Sequence, residues 1–481
     1  MNREKDYEVV IGLEVHAELA TSSKIFCSCS TEFGGLPNTH CCPGCIGMPG
    51  TLPVLNKNVV EFAIRAGLAT NCEISGFTKM DRKNYFYPDL PRAYQISQYD
   101  IPICKDGFIE IEINGVKKKI RIARIHIEED AGKLVHDQWS TGSLVDYNRS
   151  GVPLIEIVTY PDMNSAEEAR LFLEGLKAIL QYTGVSDCKM QEGSLRADVN
   201  ISVKPKSQEE LGVRTEMKNL NSFRAIIRAI EAESRRQIEE LESGGKIYRE
   251  TRRWDDEKGV SFSMRSKEEA QDYRYFPESD IPPVIIDSEW VEEIRKSLPE
   301  LPETRKRRYM EEYGLPAYDA EIITSSKALS DFFEETVKNG ANAKTASNWI
   351  MGELLRLLKE KGVEDDSIPF PPVHLAKLID IIEKGIITGT IAKKVFDNMF
   401  DSGKDPVAIV DEQGLKVVAD TGTLLPVVKK VIENNPGSVA DYKAGKTKAL
   451  GFLMGQAMRE TKGKADPKLI NQLFIEELEK L

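Results

Sequence analysis

No stretch of this chain reaches the roughly 18 uninterrupted apolar residues that a membrane-crossing helix needs. Its most apolar segments, such as LIDIIEKGIIT, are broken by charge within a few positions. The opening MNREKDYEVV has neither an apolar signal core nor an arginine-rich presequence, which predicts a cytoplasmic protein with no membrane partner. Basic charge is also short: 65 Lys and Arg against 77 Asp and Glu leave −12, so any nucleic-acid contact must come from a local patch. No H-E-x-x-H motif and no glycine-rich dinucleotide fingerprint occurs. AGKTK at 444–448 imitates a phosphate-binding loop but has Ala440 where the first glycine belongs, with no strand before it. No repeat of 20 to 50 residues is visible. Cysteine is sparse outside one place. Of 8, Cys27, Cys29, Cys41, Cys42 and Cys45 crowd together while Cys72, Cys104 and Cys188 are scattered, which suggests metal ligation in a reducing compartment.

What remains is ordinary globular composition, 41% hydrophobic and 30% charged, in 481 residues, enough for two or three domains with their own cores. Up to about residue 295 the pattern predicts an α+β domain with a largely antiparallel sheet. GFIEIEI, KKIRIARIHIEED, PLIEIVTYP, RADVNISVKP and RTEMKNLN read as strands, and 165–183 and 221–243 have helical spacing. Ser165 with Glu168 forms a capping box, and Gly244-Gly245 stops the second helix. Closely spaced prolines in SDIPPVIIDSEW and SLPELPETRKRR place a border near 295. An all-helical domain is expected over 296–408 and a small helical tail over 409–481.

Three constellations carry chemistry. Cys27-x-Cys29 and, 12 residues on, Cys42-x-x-Cys45 form two close pairs that can wrap a tetrahedral thiolate site. Zinc is the first choice, Cys41 and His40 being alternative ligands within the loop 27–45. Four thiolates with no open position make such a zinc structural. The second constellation is acidic. Glu14 and His16 share one face of a strand opposite Leu13 and Val15, and comparable intrusions occur at Arg124, His126 and Glu128 followed by Glu129, at Glu156, at Glu216 with Lys218, and at Asp198 and Asn200. Each alone suits a solvated face of a sheet; together they suit an oxygen-rich Mg²⁺ site beside a phosphate cradle. The third is KMDRKNYFYPDLPRAYQISQYD, where Lys79, Arg82 and Lys83 precede Tyr85, Phe86, Tyr87, Tyr94 and Tyr99. Positive charge beside aromatic faces suits a single-stranded RNA end or ATP, and equally an aromatic-rich core loop. In the tail, residues 426–464 hold eight basic residues (Lys429, Lys430, Lys443, Lys446, Lys448, Arg459, Lys462, Lys464) against Glu433, Asp441 and Glu460, a local +5 suited to backbone phosphates.

IGLEVHAEL, KMDRKNYFYPDLPRAYQIS, HIEEDAGK, DYNRSGVPLIEIVT, QEGSLRADVNIS, EMKNLNSF and DYRYFPE, in this order, resemble the B subunits of the bacterial three-subunit glutamyl/aspartyl-tRNA amidotransferases, almost end to end. The resemblance implies a cradle-shaped catalytic domain, a helical domain and a tRNA-binding tail. It implies that ATP activates the side-chain carboxylate of Glu or Asp mischarged on tRNA(Gln) or tRNA(Asn), and that ammonia from a glutaminase A subunit then displaces phosphate. It also implies a small C subunit, because the chain is too short for the inserted domain of the archaeal relative. By resemblance Glu14, His16 and Glu129 hold Mg²⁺, with Glu128, Glu156 and Glu216 as second choices. Lys79, Arg82, Lys83 and Lys218 are candidates for phosphate or substrate contacts, Lys79 and Lys218 being counted with the catalytic residues, and Tyr85, Tyr87, Arg196 and Asn200 are further candidates for substrate contact. A non-catalytic tRNA-binding scaffold is the competing reading, and it has no need of the acidic cluster. A self-sufficient amide ligase would need a glutaminase centre, which no Cys-His or Ser-Lys arrangement here provides.

Overall fold

In the computed structural model, which describes residues 6–136, 142–266, 273–417, 420–446, 448–461 and 463–480, the chain divides into two units, Met1–Pro302 and Glu303–Leu481. The first is built on one sheet. Its strands are β1 (Tyr7–Glu18), β2 (Glu73–Ile74), β3 (Cys104–Ile113), β4 (Val116–Glu129), β5 (Pro153–Thr159), β6 (Leu195–Pro205), β7 (Thr215–Lys218), β8 (Glu250–Asp255) and β9 (Val260–Ser266), in the spatial order β9-β8-β7-β6-β1-β5-β4-β3-β2. Every neighbouring pair is antiparallel except β7 with β8. That parallel pair needs a crossover, and the helix Phe223–Glu242 supplies it, so one strand–helix–strand unit is set into an otherwise antiparallel sheet.

Period-two alternation decides which way the sheet faces. Ile11, Leu13, Val15 and Ala17 of β1 are fully buried, as are Ile125 of β4, Ile155 and Ile157 of β5 and Val199 and Ile201 of β6. They pack in one cluster with the helices Lys57–Ala69, Ala166–Tyr182 and Phe223–Glu242, through Ile64, Phe172, Leu176, Ile226 and Ala229 among others. Each large aliphatic side chain withdrawn from water there contributes roughly 1.5–3 kcal/mol. The helices start where the sequence places their caps. The Ser165 hydroxyl accepts from Glu168 N at 3.2 Å and the Ser222 hydroxyl from Ala225 N at 3.0 Å. Gly67 lets the first helix lie close against the sheet: a Cβ there would stand 2.4 Å from Cys104 Sγ.

Residue 295, the expected border, lies inside the helix Ser288–Ser297, whose Ile294 is buried in this same core; the two units part after Pro302. Beyond it the chain is helical. One core runs from Tyr309 to Val410 over helices such as Lys327–Lys338, Pro372–Glu383 and Gly389–Ser402, and a second runs from Leu424 to Leu478 over Thr421–Asn434, Lys448–Glu460 and Pro467–Glu479. The segment SNWIMGELLRLLKEKG is interrupted by a π-helical turn at Ile350–Leu354, a widening that helical periodicity does not reveal. No helix among the described residues is long and apolar enough to cross a membrane.

Candidate functional site

The face of the sheet opposite the helices is polar, and strand pairing arranges it in rows. Across β4, β5, β1 and β6 one row reads His126, Glu156, His16, Arg196, since His126 pairs Glu156, Glu156 pairs His16 and His16 pairs Arg196. The next includes Glu14 opposite Asp198, and a third sets Asn200 opposite Glu216 on β7. Two donor clusters result.

In the first, His16 Nε2 lies 3.2 Å from Glu128 Oε1 and 3.8 Å from Glu156 Oε2, and His126 Nε2 lies 2.8 Å from Glu156. Burial works against a charged imidazole, but Glu156 and Glu128 outweigh it and push His126 up to about 9; His16 is raised in the same way, chiefly by its hydrogen bond to Glu128. The reciprocal contacts hold Glu128 and Glu156 ionised below the usual carboxylate range against their own burial. In the second cluster, oxygens of Glu14, Asp198 and Glu216 fall within 4.8 Å of one another. Asn200 Nδ2 donates to Glu14 at 2.9 Å, Thr251 Oγ1 to Glu216 at 2.9 Å, and Lys218 Nζ reaches Asp198 at 2.5 Å and Glu216 at 3.1 Å.

Both donor sets fit a hard divalent cation: one imidazole with two carboxylates, and three carboxylates. Among the described residues Asn200 Oδ1, beside the second set, is buried without a hydrogen-bond partner, an acceptor that a cation or its water would satisfy. An ion taking His16 would need its imidazole neutral, so binding would release a proton.

Glu129 is not brought to this face. One position beyond Glu128, it points the other way, is gripped through both carboxylate oxygens by Arg92, and accepts from Ile96 N at 2.9 Å. The basic and aromatic stretch also divides, by its ion pairs. Arg82 forms a bidentate pair with Glu278 at 2.7 Å and lies 4.4 Å from the Tyr94 ring, and Lys79 is held by Asp81 and Asp100, so neither cation reaches the donor clusters. Lys83 does reach toward them. Burial disfavours its charge, yet Glu128, Tyr275 and Glu156 raise it above the ordinary lysine value, and its Nζ sits 5.2 Å from the Tyr273 ring. Tyr85 meets Tyr273 edge-on at 6.1 Å, Tyr273 meets Tyr275 at 6.1 Å, and Tyr275 stacks on Tyr99 at 4.2 Å. Tyr87 is exposed beside Phe86, which is 91% exposed. Arg196 Nη2 donates to Asp130 at 2.6 Å, on the row of His16. Tyr273 and Tyr275 lie in DYRYFPE, whose spacing alone does not single them out, while Asp198 and His126 belong to the acidic constellation without being among the residues the resemblance assigns to the ion.

The cysteine quartet also assembles. The sulfurs of Cys27, Cys29, Cys42 and Cys45 lie within 4.8 Å of one another, while Cys41 Sγ turns to Asn148 and His40 lies against Gly35, so the two alternative ligands stand outside. No cysteine is in a disulfide. A hydrogen bond from Cys27 pulls Cys45 down to about 4 against its burial, with Cys42 N and the Lys24 charge assisting, so one thiolate is already favoured for a soft cation. In the tail, Lys429, Lys430 and Lys446 pair with Glu477, Glu460 and Asp441 at 3.7, 3.0 and 2.8 Å. Lys443, Lys448 and Arg459 are exposed, and Lys462 lies outside the described residues.

Comparison with known proteins gives the same picture over nearly the whole chain. The family model for the GatB/GatE catalytic domain matches residues 9–292 and that for the GatB domain matches 331–478. The B subunit of the aspartyl/glutamyl-tRNA(Asn/Gln) amidotransferase of Caldicellulosiruptor bescii is 66% identical over 479 residues, 99% of this chain and 100% of the relative. Those of Thermoanaerobacter pseudethanolicus and Carboxydothermus hydrogenoformans are 62% and 59% identical over 474 and 480 residues, 98% and 99% of this chain and 100% of each relative. With two domain models in the right order and relatives matched along their full length, the chain belongs to the family of tRNA-dependent amidotransferase B subunits.

Proposed function

We propose that this chain is the ATP-dependent amidating subunit of a cytoplasmic heterotrimer with a glutaminase A subunit and a small C subunit, a carbon–nitrogen ligase with glutamine as amide donor. A side-chain oxygen of Glu or Asp mischarged on tRNA(Gln) or tRNA(Asn) attacks the γ-phosphorus of ATP; the bond to ADP breaks and an acyl phosphate forms. Ammonia then attacks the acyl carbon, phosphate leaves, the nitrogen loses a proton to solvent or a nearby base, and Gln-tRNA(Gln) or Asn-tRNA(Asn) results.

The observation that carries this reading is the pair of donor clusters on one rigid sheet face, with Lys83 against one and Lys218 against the other. A carboxylate attacking a polyanion needs its charge neutralised and its reactants held in line. Mg²⁺ bound there would supply charge compensation for the phosphates. His16, Glu128 and Glu156 would hold one ion, and Glu14, Asp198 and Glu216 the other. Lys83 and Lys218 would orient phosphate oxygens, Tyr85 with Tyr273 and Tyr275 would offer ring faces to a base, and Arg196 and Asn200 would bound the substrate. Glu129 in this reading fixes Arg92 and holds no ion. The cysteine quartet holds a structural zinc, and the tail grips the tRNA body.

Glu14→Ala and His16→Ala, assayed in the assembled heterotrimer, should lose tRNA-dependent ADP formation and amidation by orders of magnitude while glutamine hydrolysis by the partner continues. Near-normal amidation by both would make the chain a tRNA scaffold and place the chemistry elsewhere.

A further inference from the structure

Lys24 has no exposed surface. Its Nζ donates to the Tyr147 carbonyl at 3.1 Å, and among the described residues no carboxylate comes within ion-pair distance of it. Lysine is almost never fully buried unless paired, because an ammonium taken from water without a counter-charge is costly.

Its surroundings show where the missing negative charge belongs. Lys24, Cys27, Cys45, Arg92, Glu129 and Gly151 line one small cavity of about 20 Å³, room for a single water. A Cβ on Gly151 would stand 3.7 Å from Lys24 Cδ and 3.9 Å from Cys45 Cβ, ordinary contact distances, so the lysine stem and the cysteine flank the same short piece of backbone. The backbone repeats the link: Lys24 N donates to the Cys29 carbonyl at 3.0 Å, at the root of the turn that carries Cys27 and Cys29. Arg92 and Glu129 neutralise each other within this cavity, which leaves the charge of Lys24 over.

Zinc held by four thiolates carries a formal charge of about −2, a centre that is itself expensive to bury. We propose that Lys24 is the internal counter-charge of the four-cysteine centre, a positioning residue that makes the buried thiolate cage tolerable and is itself made tolerable by it. The inference rests on the zinc reading above. It differs from a packing role in one respect: the lysine and the metal are coupled, so that each stabilises the protein more in the presence of the other.

That reciprocity is measurable in the full-length chain. Lys24→Met keeps the stem and removes the charge; Lys24→Arg keeps the charge. Zinc content, the rate of zinc release to a chromogenic chelator, and the unfolding temperature before and after zinc removal should be measured for each. Lys24→Met should release zinc about tenfold faster and gain less unfolding temperature from zinc than the natural protein, as expected for a lost outer-shell partner, and Lys24→Arg should stay close to the natural protein. In the metal-free state the difference between Lys24→Met and the natural chain should shrink, since the doubly negative cage that the ammonium balances is then absent. Equal loss of unfolding temperature with and without zinc, at an unchanged release rate, would show that the lysine merely packs the loop. Should Lys24→Met not fold, Lys24→Gln is read in the same way. A natural protein with reduced cysteines and no zinc at all would overturn the zinc reading itself, a different result from equal zinc affinity in both proteins.

Discussion

Glu128 and Glu129 differ by a single position and by everything else. Strand geometry turns one to the polar face beside His16 and the other to Arg92 and the Ile96 amide. Substitution should therefore separate them. Glu129→Gln leaves a largely buried guanidinium without its carboxylate and is expected to cost about 3 kcal/mol of stability in urea unfolding. It should leave tRNA-dependent ADP formation per folded molecule largely intact. Glu128→Gln should fail in phosphoryl transfer per folded molecule, beyond whatever stability it loses with its two imidazole partners. A stable Glu129→Gln that no longer activates tRNA would return Glu129 to the ion.

At the scale of elements, the hairpin Asp81–Asn84 and Tyr94–Ser97 that carries Lys83 is held by the short strand Phe276–Pro277, and the Arg82–Glu278 pair closes the joint. Burial raises the Glu278 carboxyl, but the bidentate Arg82 contact outweighs it and holds the group below its ordinary 4.5. A depressed value means the charged form is favoured in the fold. The pair then contributes its full stability above about pH 4.5 and loses it as pH falls through the lower, folded value. Glu278→Gln should be less stable than the natural chain at pH 7, and the gap should close on acidification. A gap that persists below the folded value would mean that the neutral carboxyl is as good a partner as the charged one.

Alternation made the central strands, their apolar face and the candidates Glu14, His16, Glu156 and Glu216 readable from the chain, and paired spacing did the same for the four cysteines. The register between distant strands was not readable. HIEED offers three consecutive carboxylates, and which of them shares a face with His16 depends on β4 pairing β5 and β5 pairing β1, contacts separated by up to about 140 residues in sequence. The same holds for Lys83 against Arg82. The crossover between β7 and β8 was hidden because β7 has only four residues, too few to show a period.

Across the whole molecule, the tail has its own core from Leu424 to Leu478, distinct from the one that ends at Val410. Ending the chain at residue 417 should therefore leave the preceding helices folded. Exposed ion pairs such as Lys430 with Glu460 contribute little and do not bar these lysines from phosphate. The truncated chain, assembled with its partners, should bind mischarged tRNA more weakly and with a flatter dependence on salt, because fewer counterions are released. Glutamine hydrolysis and zinc content should be unchanged. Undiminished affinity with the same salt slope would assign the basic stretch to solvent.

The two donor clusters draw on β1, β4, β5, β6 and β7, and every donor is carried within a strand. The site therefore has a parity. Lengthening the connections between strands leaves each donor on its face, whereas a single residue gained or lost inside Tyr7–Glu18 exchanges Glu14 and His16 for their apolar neighbours and turns Leu13 and Val15 toward the polar face. Variation in length is thus tolerable in the loops but tightly restricted in the strands, where change must proceed in steps of two.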